Sequence, residues 1–203
     1  MKTLGTLSVL LLSSFTASAA LIPSLDSGPL QVAMGAYAYN YSIEITGGER
    51  LDPAATNGVT CPGNNGALVQ CSPAGTFFTI YDFAGFVSVT GLPAGWSFVT
   101  NLLGITPSAV TQQVVDNPSV VNVSFFYTGP VVNGDAIIKG FQLLSSLNKL
   151  NATGSFSSQS TKSDSGTADQ LVGSLLVPTA IPEPASLAFI GVGLVGLLAW
   201  RKR

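Results

Sequence analysis

Histidine is absent from all 203 residues of the chain. Without an imidazole, Ser-His-Asp and Cys-His nucleophile activation, His-ligated metals and His proton shuttles are all excluded. Cysteine is nearly absent, and Cys61 and Cys71 alone cannot close a four-ligand zinc site. Charge is scarce as well. Charged side chains make up 9% of the sequence, against roughly 25% in an ordinary soluble domain. A formal net charge of −2 and a pI near 4.8 leave no basic face for nucleic acid. Hydrophobic residues reach 46%, with a mean hydropathy of +0.46. Where that apolar content sits decides what it means.

Much of it sits at the two ends. Lys2, the apolar run Leu4 to Leu12 and the small-residue stretch closing in Ala17-Ser18-Ala19 have the three-part order of a signal peptide. The small-x-small triplet predicts signal-peptidase cleavage after Ala19, so that residues 1–19 are removed. The apolar run is too short to span the roughly 30 Å hydrocarbon core of a bilayer. At the other end, Ala185 to Trp200 holds sixteen residues without a charge. As a helix it reaches about 24 Å, a short single transmembrane span. Pro182 and Pro184 stop backward extension, and Pro184 suits a helix start. Arg201, Lys202 and Arg203 follow at once, and such a basic tail stays cytoplasmic. Both ends therefore give one topology, body outside and tail inside. Gly191, Gly193 and Gly196 spell a dinucleotide-binding pattern, but it lies inside the apolar helix rather than at a strand-to-helix turn.

The order Ile181-Pro182-Glu183-Pro184-Ala185-Ser186-Leu187, apolar helix, Arg201-Lys202-Arg203 resembles the PEP-CTERM sorting signal over residues 181–203. The resemblance implies that Pro182, Glu183 and Pro184 form the sorting motif. In that family the signal is recognised by an exosortase, a membrane transpeptidase-like enzyme of Gram-negative bacteria that make exopolysaccharide. It further implies a temporary inner-membrane anchor, cleaved near the triplet, with the body then passing to the cell surface or matrix. Tyr81 to Gly85, Tyr127-Thr128-Gly129-Pro130 and Val177-Pro178 loosely resemble segments of other such cargo. A permanent single-span anchor has the same three-part order; the triplet directly before the helix favours sorting.

Between the ends, residues 20–180 carry four basic and nine acidic side chains. Their periodicity is that of strands. Tyr37, Tyr39, Tyr41, Ile43 and Ile45 alternate with smaller or polar residues until Gly47-Gly48. Further β-rich runs are Thr76 to Tyr81, Phe86 to Thr90, Trp96 to Thr100, Val120 to Tyr127, Ile137 to Ser145, Thr153 to Lys162 and Leu171 to Val177. One short helix is expected near Ser108 to Val115. Seven or eight short strands with Gly/Pro/Asn turns predict an all-β body, a β-sandwich, with a small β-barrel as the alternative. In an exported chain the first reading of Cys61 and Cys71 is a disulfide, stabilising by roughly 2–3 kcal/mol through chain entropy.

Candidate sites are few. With no histidine, only carboxylates could form an acid–base pair, as in a glycan-active enzyme; Glu44, Glu49, Asp52 and Asp82 are the candidates. Each has a plainer role: a solvent-facing strand position for Glu44, turns for the others. Tyr37, Tyr39, Tyr41 and Trp96 could stack on sugar rings if exposed, or fill a sandwich core if turned inward, the more frequent outcome. The stretch Asp164 to Asp169 lacks the ligand density of a calcium loop. No catalytic residue, cofactor or metal ligand is assigned. The expected protein is a non-enzymatic exported cargo, whose partners are signal peptidase, an exosortase, the inner membrane and, on arrival, exopolysaccharide. A carbohydrate-binding module and a carboxylate-dependent enzyme are the rival readings.

Overall fold

The computed structural model describes residues 20–53, 59–62, 68–70 and 75–179. Three expectations lie outside them: the signal peptide with Ala17 and Ala19, the segment from Pro182 to Arg203, and the Cys61–Cys71 bridge, because Cys71 is not among them. No helix among the described residues is long and apolar enough to cross a membrane.

The described chain is built from strands. In order they are β1 (Ala20–Ala33), β2 (Ala36–Thr46), β3 (Glu49–Leu51), β4 (Val59–Pro62), β5 (Leu68–Gln70), β6 (Phe77–Ile80), β7 (Phe86–Gly91), β8 (Trp96–Asn101) and β9 (Thr106–Pro107). A 3₁₀ turn (Ser108–Gln113) follows, then β10 (Asn122–Tyr127), β11 (Val132–Asn133), β12 (Ala136–Ser145), β13 (Leu150–Lys162) and β14 (Ala168–Pro178). The expected helix near residue 108 is thus a single 3₁₀ stretch ending at Gln113. More strands are present than the periodicity predicts. Those added are mostly two to four residues long, apart from β1.

One sheet runs β1-β2-β12-β7, and a larger one runs β11-β3-β13-β6-β10-β8 with β14 on the other side of β13. Neither closes on itself, so the barrel alternative falls and the layers form a sandwich. The alternation along β2 decides which face turns inward. Tyr39, Tyr41, Ile43 and Ile45 are fully buried, each burial stabilising by about 1.5–3 kcal/mol relative to exposure. They meet Phe78, Ile80, Val123, Phe125, Phe156 and Leu175 of the larger sheet. Phe141 of β12 is the aromatic junction between the sheets.

β1 went unpredicted because Pro23, Gly28 and Pro29 interrupt it. As an edge strand it pairs only with β2, so it tolerates prolines a central strand would reject. Its register shifts between Leu25 and Ser27 and again before Leu30.

The outer face of β6, β10 and β13 is also covered. The phenol of Tyr81 meets Ser157 Oγ at 2.8 Å, Thr106 Oγ1 at 2.5 Å and the Ile105 carbonyl at 3.2 Å. Thr79 Oγ1 donates to the Ile105 carbonyl at 2.6 Å and lies 2.7 Å from Ser124 Oγ. Satisfied in this way, a buried polar face costs little. Gly104 lies against the Tyr81 ring so closely that a Cβ there would stand 2.2 Å from Cε1. The ring is pinned by its hydroxyl contacts and cannot retreat. Gly104→Ala should therefore cost about 1–3 kcal/mol, read as a lower urea midpoint at unchanged slope.

Candidate functional site

The aromatic row is not a sugar platform. Tyr39 and Tyr41 have no exposed surface, Trp96 is 6% exposed, and Tyr37 is half-buried against the core. Tyr39 donates to the Leu147 carbonyl at 2.7 Å and Tyr41 to the Leu176 carbonyl at 2.9 Å, bolting the sandwich to a loop and to β14. Trp96 packs on Phe78, Tyr127 and Phe141 with centroids 5.1–5.7 Å away. The stacking assignment for Tyr37, Tyr39, Tyr41 and Trp96 is corrected on this ground: the inward side of β2 is the side that carries the bulk.

The four carboxylates go to different places. Glu44 is exposed on the outer side of β2, as expected, and lines an open hollow with Asp135 and Ile137. Asp52 is buried and held by Arg50, whose Nη2 and Nε donate to Oδ2 at 2.8 and 3.2 Å. Asp82 occupies a left-handed turn (φ +53°). Its amide donates to Asn122 Oδ1 at 2.9 Å, and its Oδ1 accepts from the Asn117 amide at 3.0 Å. Burial raises its pKa, opposed by that amide and reinforced by Asp116. This is a turn role.

Glu49 departs from expectation. It is a strand residue, the first of β3 after the Gly47-Gly48 turn, where both glycines have positive φ (+70° and +83°). Leu51, two positions on, is in the core, so strand alternation turns Glu49 inward too. It has no exposed surface, and neither carboxylate oxygen has a hydrogen-bond partner. The Ser160 hydroxyl is near enough to favour the charged form without meeting hydrogen-bond geometry. Burial is the main cause that raises its pKa. Asp169 and Asp164 act the same way, while Ser160 and Lys162 oppose. Beside it opens a cleft of about 320 Å³ lined by Gly47, Gly48, Lys162, Ser163 and Asp164. The signal that could have exposed Glu49 is the Glu-x-Leu alternation. It is short, and the glycines before it read as turn.

The stretch Asp164 to Asp169 runs from the hairpin turn between β13 and β14 into the start of β14, with Ala168 and Asp169 already paired to Thr161 and Ser160. The turn is closed by Lys162 N to Thr167 O (2.8 Å) and Gly166 N to Lys162 O (2.9 Å). Among the described residues no three Asp, Glu, His or Cys side chains converge as a metal site. At the C-terminal end, β14 delivers Val177 to the core, Pro178 is buried, and the Thr179 amide donates to the Lys149 carbonyl at 2.9 Å.

Directly beyond that last bond, residues 180–203 match the family model for the PEP-CTERM protein-sorting motif. The chain therefore carries the sorting motif of an exosortase substrate, which implies export, membrane-associated sorting and processing by an exosortase-type enzyme. Comparison with curated proteins and with solved structures finds no match.

Proposed function

We propose that this motif-bearing chain is a non-catalytic exported cargo protein. Signal peptidase removes residues 1–19. The tail beginning at Ile181 holds the body on the periplasmic side of the inner membrane. An exosortase-type transpeptidase then cuts near Pro182, Glu183 and Pro184, and the sandwich passes to the cell surface or exopolysaccharide matrix. The observation that carries this reading is the match at 180–203, which starts immediately after the final core strand. A cut in the triplet removes no residue of the described core, so the processed body keeps its fold.

A role by contact rather than bond chemistry is supported by the scatter of the carboxylates: one solvent-facing, one committed to arginine, one in a turn, one buried. The sugar-platform reading loses the residues that motivated it, because Tyr39, Tyr41 and Trp96 are buried.

Intact-mass analysis of the protein from producing cells and culture fluid tests this. The expected species lacks residues 1–19 and ends near Ile181. Substituting Pro182, Glu183 and Pro184 together by alanine should leave most of the chain membrane-bound and extending through Arg203. A wild-type chain that keeps Arg203 in its final location would make it an ordinary anchored protein.

A further inference from the structure

We infer that Glu49 is the acceptor for the α-ammonium group that signal-peptide removal creates at Ala20, so that export processing completes the core electrostatically. This rests on the reading that residues 1–19 are removed.

A buried carboxylate without a partner is expensive, and such groups are normally paired with a cation or hydrogen-bonded. The nearby cations do not serve Glu49. Arg50 is taken by Asp52 at 2.8 Å, and Lys162, opposite Glu49 in the β3–β13 ladder, makes no hydrogen bond to it. The other charged groups around it, Asp164 in the turn and Asp169 on β14, are negative. Lys162 attracts the carboxylate through space, but no cation among the described residues is hydrogen-bonded to it.

Two independent registers bring the start of β1 to the same end of the interior. Within its own sheet, Ala20 lies opposite Thr46, the last residue before the Gly47-Gly48 turn into Glu49. Across the sandwich, the Leu21 carbonyl accepts from Ser158 Oγ at 2.6 Å. The next positions on that face of β13 are Ser160 and Lys162, the latter opposite Glu49. Farther along β1, Leu25 pairs with Tyr41, whose hydroxyl reaches Leu176 at the other end of the sandwich. The backbone nitrogen of Ala20 therefore lies toward the Glu49 end.

In the uncut chain that nitrogen is a neutral amide with one N–H. Hydrolysis of the Ala19–Ala20 bond adds one water. The carboxylate leaves with Ala19, and the freed amine of Ala20 takes a proton. An α-ammonium has three donors and is mostly charged at neutral pH, its ordinary pKa being about 7.7–8.0. It supplies the hydrogen-bonded charge that Glu49 lacks.

The sign follows. With Glu49 unpaired, its raised pKa makes the protonated form the one the fold prefers, so stability falls as pH rises from the ordinary glutamate range through the raised value. Pairing with the ammonium removes that loss and raises the pKa of the amine.

The test uses the full chain, exported and processed in cells. A second version carries Gly-Ser inserted between Ala19 and Ala20, which moves the new amine two residues from its place. Both are made with Glu49 and with Glu49→Gln, and N-terminal sequencing reports the start of each. At pH 7 the insertion should weaken the folding equilibrium about tenfold with Glu49 and leave it nearly unchanged in E49Q, the worth of about one pKa unit. In the wild type alone, the pH dependence of amine acetylation should place the Ala20 amine at least about one unit above its ordinary value. An exported wild type that starts elsewhere than Ala20 overturns the premise. An Ala20 start with equal insertion effects in both backgrounds, or an ordinary amine pKa, overturns the pair itself.

Discussion

Phe141→Ala should lower the unfolding free energy by about 3–5 kcal/mol, a large part of what a domain of this size possesses. The ring projects from β12 into three aromatic side chains of the opposite sheet. It meets Phe78 at 5.1 Å and 86°, Trp96 at 5.1 Å and 85°, and Phe125 at 5.2 Å and 74°. All three are edge-to-face contacts, the arrangement aromatic quadrupoles favour beyond simple burial. Phe78 also stacks on Phe125 at 4.8 Å, so the neighbours brace one another and cannot collapse into the vacated space. Denaturant titration monitored by tryptophan fluorescence reads the loss directly, because Trp96 borders the cavity. A loss below about 1 kcal/mol would mean that the two sheets do not share this core.

Alkali should unfold the protein cooperatively between about pH 10 and 12. Tyr39 and Tyr81 are each pushed from 10.0 to about 12, and Tyr41 higher still, chiefly because burial penalises the phenolate. For Tyr81 the hydroxyls of Ser157 and Thr106 act in the opposite direction, and Asp116 adds to the rise. In the unfolded chain these phenols ionise near 10, so their contribution is complete below that pH and is lost as pH rises through the folded values. For Tyr81 alone the two units amount to about 2.7 kcal/mol. Phenolate absorbance should appear together with loss of the strand circular-dichroism signal. Phenols that ionise near pH 10 while the strands persist would show that they are not enclosed.

The long strands were legible because their physics is local. In β2, bulky and small residues alternate with period two, and Tyr39, Tyr41, Ile43 and Ile45 on the bulky side are buried while Glu44 opposite is exposed. In β10 the alternation marks the core side, but Asn122 and Ser124 on the other face are buried too. β1 was illegible for an equally local reason, since its prolines and Gly28 mask a pairing that only an edge position allows. The covered outer face of β13 was hidden by its composition. Ser157, Gln159 and Thr161 look like a solvated face, yet all three have no exposed surface, because the segment after β8 folds over that side. No single-strand pattern encodes that cover. The burial of Glu49 was hidden similarly: the residue was a candidate read as a turn position, and it is enclosed where β3 pairs with β13, a distant part of the chain. The sorting motif needed no fold to be seen, since its residues are contiguous.

The contact of Leu21 with Ser158 and the pairing of Pro178 with Leu150 put the two ends of the described body toward opposite ends of β13, about 25 Å apart along that strand. On the proposed processing, the new N-terminus and the tail are carried toward different ends of β13, so a cut at one end leaves the strand pairing at the other untouched.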